Sequence, residues 1–179
     1  MHPLRGVALA ALLAVVAPLA CAEPQPPPAI PIPASQEPIR IGFISSYTGP
    51  VSGPVRDISD GFKLAIKMLD NRMAGRPVVV TYRDSQSKPQ IGRQIADQML
   101  TGDKVQIITG EDLSSVLLGM IRPVLEAGAF YISANAGPSQ LAGKGCQPHF
   151  FSYSFQNDTL AEAIGDMANA EKVPTMYLV

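Results

Sequence analysis

From residue 39 onwards, short β-branched segments alternate with segments whose apolar residues recur at helical spacing. Four segments have the composition of buried strands: residues 39–44, 78–82, 105–109 and 130–133. Three segments between them have helical periodicity: residues 58–69, residues 89–100, and a segment that follows Ser114 or Ser115. Alternation of this kind requires a parallel sheet with right-handed crossovers. The sequence therefore predicts an α/β fold with a doubly wound parallel sheet.

Several residues predict where these elements end. Gly75 and Pro77 should end the first helix, and Pro123 should kink the third. After the fourth strand come a glycine-rich loop, a short apolar stretch at residues 150–151 and a helix that begins near Asp158 or Thr159. Residues 175–179 are predicted to form a strand. Because no crossover helix follows that strand, we expect the sequence to be truncated.

The first 38 residues have the composition of an exported leader and a spacer. Residues 1–22 combine one basic residue, an apolar run and small residues at Ala20 and Ala22, which predicts a signal peptide cleaved after Ala22. The alternative is a lipoprotein anchored through Cys21. Residues 23–38 are rich in proline and are interpreted as an extended linker. We expect the chain in the periplasm.

Charge and motifs exclude several classes of function. The formal net charge is −1 and no basic run occurs, so nucleic acid is not an expected partner. The sequence has no nucleophile elbow, phosphate loop, dinucleotide motif or histidine pair at metal spacing. We therefore expect no catalytic residue, no metal and no cofactor, and hence not an enzyme. His149 is expected to be solvated, and the adjacent acids Glu111 and Asp112 are interpreted as residues of a helix start.

Cys146 is the only cysteine that remains after cleavage at Ala22. Exported cysteines usually pair. Either this thiol is buried and inert, or its partner lies outside this sequence.

Three loops are candidates for a binding site, because ligands of open parallel sheets bind beyond the carboxyl ends of the strands. These loops are residues 45–54, 110–115 and 133–138, and all are rich in small or hydroxyl-bearing residues. Ser114 and Ser115 stand at a predicted helix start, where free N–H groups and the helix dipole favour an anion. Alternatively, Ser114 is only an N-cap and the glycines are only turn formers.

Residues 39–158 resemble the first lobe of the branched-chain amino-acid type of ABC transporter substrate-binding proteins, which have the type I periplasmic binding protein fold. The resemblance depends on five elements in order. These are YTGPVSGP at 47–54, DGFKLAIKMLDNRMAGRPVVVTYRDSQSKPQ at 60–90, ITGEDLSS at 108–115, ISANAGPSQLAGKGC at 132–146 and FFSYSFQND at 150–158.

The resemblance implies reversible capture of a small carboxylate-bearing solute between two lobes, followed by delivery to the membrane permease of an ABC transporter. It implies a ligand-binding lobe at 39–158 and the start of a crossover to a second lobe at 159–179. The implied ligand-binding residues are Tyr47, Ser114, Ser115, Asn135, Ala136 and Gly137. Amino-acid binders of this family carry Thr where Gly137 stands, so aromatic acids are as plausible as amino acids.

Two other functions are alternatives for a chain of this fold. A ligand sensor of the same fold would report to a regulator instead of a transporter. A hydrolase on a flavodoxin-like fold would need a nucleophile paired with a base, and the sequence shows no such pair.

Overall fold

A computed structural model describes residues 37–50 and 53–177. These residues form a six-stranded sheet in the order β2-β3-β1-β4-β5-β6. The strands are β1 (Ile39–Ser45), β2 (Arg72–Met73), β3 (Arg76–Asp84), β4 (Ile107–Thr109), β5 (Phe130–Ser133) and β6 (Phe150–Ser152). The pairing of β2 with β3 is antiparallel, and all other pairings are parallel.

Four helices accompany the sheet: α1 (Gly53–Met68), α2 (Pro89–Gln98), α3 (Ser114–Glu126) and α4 (Asn157–Ala170). A π-type turn at Met99–Asp103 extends α2. Helix α3 continues through Pro123, where the carbonyl of Gly119 loses its usual helical donor because proline has no N–H. The apolar side chains on α4, at Leu160, Ile164 and Met167, are each more than half exposed.

The main core lies between one face of the sheet and the helices α2 and α3. Alternate residues of a strand point to opposite faces, and Ile44, Ile108 and Tyr131 point to this one with no exposed surface. They pack with the buried helical residues Ala96, Leu117, Met120, Ile121 and Val124. Burial of such side chains stabilises the fold by about 1.5–3 kcal/mol each.

Helix α1 lies on the opposite face. Phe43 contacts Phe62 of α1 and Tyr82 of β3, with ring centroids 5.0 and 5.3 Å apart. An apolar groove of about 270 Å³ continues along this face between α1 and the strands β1, β4 and β5. Because helices lie on both faces of a mostly parallel sheet, the predicted doubly wound α/β fold is confirmed.

Some element boundaries differ from the predicted ones. Helix α1 ends at Met68, where Asp70 and Asn71 adopt left-handed backbone angles, and the two-residue strand β2 follows. Gly75, with φ of 76°, forms the turn between β2 and β3 instead of ending the helix. Residues 150–152 form a strand because they pair with β5, and α4 begins at Asn157, just before the expected position.

Other predictions fall on the last residues and on the leader. Residues 175–177 are not in a strand, since they pair with no strand in the described chain, and Met176 and Tyr177 are exposed. The predicted signal peptide at 1–22 lies outside the described residues, and so does the predicted linker at 23–38 except for its last two residues.

Two isolated side chains also differ from expectation. Cys146 is exposed, which contradicts the first of the two alternatives for this cysteine, a buried and inert thiol. His149 is only partly solvated because its ring lies 4.6 Å from that of Phe130.

Candidate functional site

The loops that follow β1, β3, β4 and β5 meet at one edge of the sheet, because parallel strands end on the same side. The Ser45 hydroxyl at the end of β1 donates to the carbonyl of Gly110, which follows β4, at 2.7 Å. Gly110 has a φ of 102°, and a Cβ there would collide with the ring of Phe43. Glycine at this position therefore lets the β4 loop cross closely over β1.

Asp112 joins three of these loops. Its side-chain Oδ1 accepts a hydrogen bond from the backbone N–H of Ser46 at 3.4 Å. Its backbone carbonyl accepts one from Nδ2 of Asn135 at 3.1 Å. Ser46 lies one position before the predicted Tyr47, and Asp112 lies two positions before the predicted Ser114. These residues and Asn135 are thus held at one edge, although the loops are far apart in sequence.

Ser114 and Ser115 occupy the first turn of α3. Leu113, not Ser114, is the N-cap residue, so the interpretation of Ser114 as an N-cap is wrong. The hydroxyl oxygen of Ser114 accepts a hydrogen bond from Nδ2 of Asn157, the first residue of α4, at 3.0 Å. Ser115 is exposed. The Val116 N–H of this turn donates to the Leu113 carbonyl at 3.1 Å. The N–H groups of Ser114 and Ser115 precede it at the positive end of the helix dipole, which favours an anion.

Ala136 and Gly137 are buried in the loop that follows β5. The Ala136 carbonyl accepts from the Ser133 hydroxyl at 2.5 Å, and the Gly137 carbonyl accepts from the Asn157 N–H at 2.8 Å. A Cβ at Gly137 would overlap the carbonyl oxygen of Phe155. Asn157 therefore binds two of the three predicted loops, those at 110–115 and 133–138, and sequence patterns give no signal for that role.

Tyr47 is placed differently from the other predicted residues. Its backbone follows Ser46 at the shared edge, but its hydroxyl is 2.9 Å from the Ser59 hydroxyl on α1. Its ring lies 6.5 Å from that of Phe43. The structure thus brings Ser114, Asn135 and Gly137 together through Asp112 and Asn157, and it directs the side chain of Tyr47 toward α1.

The segment Thr-Gly-Pro at residues 48–50 is tethered to the turn DSQSKP at residues 84–89, which follows β3. Asp84 accepts hydrogen bonds from the Thr48 hydroxyl at 2.6 Å, the Thr48 N–H at 3.2 Å and the Gln86 N–H at 2.9 Å. Desolvation alone would raise the pKa of Asp84, but these hydrogen bonds outweigh it and lower the pKa. The carboxylate therefore stays charged at neutral pH and fixes the β1 loop to the end of β3.

Glu111 is the most unusual group at this edge and was not predicted as a buried residue. Its side chain is 0% exposed. Oε1 accepts from the Ser46 hydroxyl at 2.8 Å and from the Leu113 N–H at 3.1 Å. The expected helix-start role is therefore only partly correct, because Glu111 supports the start of α3 from the interior. The only sequence feature that indicates a structural role for Glu111 is its position between Gly110 and the start of α3.

The described residues contain no group of three His, Cys, Asp or Glu side chains that could hold a metal ion. In the same part of the chain, no helix is long and apolar enough to cross a membrane. What gathers at this edge is a set of hydroxyl, amide and backbone N–H groups. Such groups bind a polar solute by hydrogen bonds.

Solved structures share this architecture. An ABC transporter substrate-binding protein from Sphaerobacter thermophilus is 28% identical, with a TM-score of 0.67 over 75% of this chain and 37% of that protein. A solute-binding protein of an ABC transporter from R. palustris, in complex with benzoate, is 23% identical, with a TM-score of 0.69 over 76% and 38%. A leucine binding protein from Thermotoga maritima is 18% identical, with a TM-score of 0.68 over 74% and 37%.

The chain thus spans 37–38% of the length of these three proteins. No curated protein matches it. The sequence model of the periplasmic binding protein family matches residues 38–179, which include every described strand and helix. The chain therefore belongs to the periplasmic binding protein family.

Proposed function

We propose that this chain is the ligand-binding lobe of an extracytoplasmic solute-binding protein that serves an ABC importer. Its ligand is a small carboxylate-bearing solute, either an amino acid or an aromatic acid. Family membership and the likeness to an ABC transporter substrate-binding protein support this function. In this proposal residues 39–158 form the lobe, residues 159–179 begin the crossover, and the loaded protein delivers its solute to a membrane permease.

The proposed binding chemistry uses dipoles and hydrogen-bond donors. Ser114 and the first-turn N–H groups of α3 bind the carboxylate, as helix N-termini favour anions. Ser115 is exposed beside them. Asn135, Ala136 and Gly137 contact the polar end of the solute through backbone and side chain, and Tyr47 borders the site from the β1 loop.

The observation that carries the proposal is the bridge formed by Asp112. One residue binds Ser46 after β1 and Asn135 after β5, and it precedes Ser114 by two positions. Loops separated by as many as 89 positions, from 46 to 135, are thereby held as one surface. Such preorganisation lowers the entropic cost of capturing a solute.

Titration of the chain with benzoate and with leucine, followed by backbone amide NMR, tests this function. We expect shifts at Ser114, Asn135 and Gly137 that saturate only at millimolar concentrations, because in this proposal the chain supplies one of the two lobes between which the solute is captured. Ser114→Ala should weaken benzoate binding about fivefold, the effect of one hydrogen bond of about 1 kcal/mol. Thr101→Ala is the matched control. The Thr101 hydroxyl donates to the Asp97 backbone carbonyl, and it lies toward the amino end of β4, away from the candidate loops at the carboxyl end.

Two results would contradict the proposal. One is a set of shifts confined to residues far from these loops, and the other is an equal loss of affinity in the Ser114 and Thr101 variants.

A further inference from the structure

Glu111 combines complete burial with incomplete hydrogen bonding. Its Oε1 accepts two hydrogen bonds, from Ser46 and Leu113. Its Oε2 is buried and has no hydrogen-bond partner of ordinary geometry in the described part of the chain. A buried carboxylate oxygen without a donor is costly, and a proton on the carboxyl group removes most of that cost.

The groups around Glu111 add no positive charge. The loops after β1 and β3 contribute the hydroxyls of Ser46 and Ser85, and the ionisable neighbours are Asp112 on the same loop and Tyr131 on β5. The Tyr131 hydroxyl is itself buried without a hydrogen-bond partner among the described residues, and its burial raises its pKa well above the usual value. Tyr131 therefore stays neutral, while Asp112 adds negative charge.

Burial raises the pKa of Glu111 to about 7, even though the nearby Ser85 hydroxyl and the hydrogen bonds from Leu113 and Ser46 lower it, and the Asp112 carboxyl raises it further. At neutral pH the group is thus divided between its neutral and charged forms. A nearby change in charge shifts that balance in one direction or the other.

We propose that Glu111 is a positioning residue that couples carboxylate capture at this edge to proton uptake in those molecules in which Glu111 is still charged. This inference rests on the proposed function. The ligand arrives as an anion, and a charged Glu111 takes a proton from solvent when it binds, so the added negative charge is partly compensated. Carboxylates therefore bind more tightly as the pH falls from 8 to 6.

The coupling follows from the position of Glu111. It holds the Leu113 N–H, and Leu113 directly precedes Ser114, where the ligand carboxylate binds. A charged Glu111 repels an anion at this helix start, and a neutral one does not. Because coupling is reciprocal, bound carboxylate must also raise the pH at which Glu111 loses its proton.

The test measures the affinity for benzoate between pH 6 and 8 by amide NMR, with neutral benzamide as the ligand control. We expect the wild-type chain to bind benzoate about fivefold more tightly at pH 6 than at pH 8. Glu111→Gln, which is neutral at every pH, should show less than about a twofold change and bind as the wild type does at pH 6. Glu126→Gln is the matched control, because Glu126 is exposed at the other end of α3 and pairs with Arg122.

A second measurement follows the Glu111 carboxyl carbon directly in the wild-type chain, so the test does not depend on the folding of a variant. Saturating benzoate should move its titration to higher pH, and benzamide should not. An unchanged titration, or equal pH dependence in the wild type and Glu111→Gln, overturns the coupling but leaves the binding function intact. Absence of benzoate shifts at Ser114, Asn135 and Gly137 at every pH instead overturns both.

Discussion

Gly137 shows how a single residue fixes the geometry of the site. Its missing side chain lets the segment at Phe155 pass directly over the β5 loop, and its carbonyl binds the first residue of α4. The sequence indicates a glycine in a loop, but it gives no hint that the reason is backbone contact with a segment 18 positions further on. A threonine at this position would collide with Phe155 in this backbone arrangement.

We therefore expect Gly137→Ala to destabilise the chain by about 1–3 kcal/mol, because the added methyl group meets rigid backbone and not a flexible side chain. The measurement is the free energy of unfolding in urea. Gly61→Ala is the control, since Gly61 lies within α1 with open space around it and alanine there should stabilise the helix by about 1 kcal/mol. Equal stability of the Gly137 variant and the wild type would show that the contact is not tight.

Glu111 marks the limit of prediction at this scale. The sequence places an acid beside a helix start, where acids are common. Whether such an acid faces solvent or the interior depends on loops contributed by β1 and β3, since Ser46 and Ser85 cover it. No local pattern encodes that arrangement.

At the scale of elements, strand-like runs were predicted well where a neighbouring strand is present to pair with them. Strands β1, β3, β4 and β5 are rich in β-branched or aromatic residues, and all four were predicted close to their observed positions. Strand β2 has two residues and no apolar pattern, and it exists because a turn at Gly75 folds it back on β3. The apolar run at 175–177 was wrongly predicted as a strand because a strand also requires a neighbour to pair with.

The tether between Asp84 and the β1 loop is an element-scale device that can be tested. Asp84→Ala removes the acceptor for the N–H groups of Thr48 and Gln86. We expect these two amides to exchange with solvent about tenfold faster, since hydrogen bonds to a charged group contribute about 1.5–3 kcal/mol. Amide hydrogen exchange at single-residue resolution measures this effect.

Asp60→Ala serves as the control for that tether, because Asp60 is exposed on α1 and pairs only locally with Lys63. It should leave the Thr48 amide unchanged. Protection of Thr48 that persists in the Asp84 variant would show that the loop is held by other contacts.

At the scale of the whole molecule, the sequence predicted the fold class and the edge of the sheet where the candidate loops meet. Parallel strand order alone determines which loops share an edge. The bridge through Asp112 and the role of Asn157 could not be predicted, because both depend on side chains that meet only after the loops are placed. The identity of the solute could not be predicted from the sequence either, since small changes in such loops alter specificity.

Export is the remaining whole-molecule prediction. We expect the exported chain to begin at Glu23 and to carry one reactive thiol, the exposed Cys146. Mass spectrometry gives the new N-terminus, and maleimide labelling counts the thiol, with Cys146→Ser as the unlabelled control. A mass that includes an acylated Cys21 would instead establish a lipid anchor.

The two outer strands of the sheet have a consequence for concentrated solutions. At one border, the two-residue strand β2 pairs only with Arg76 and Pro77 of β3, so residues 78–84 of β3 have a strand on one side only in the described part of the chain. The other border is the three-residue strand β6. Unpaired backbone on a long outer strand is the usual template for intermolecular β-aggregation. Residues 78–84 are therefore the segment through which copies of the chain can pair in concentrated solution, whereas β6 offers only three residues.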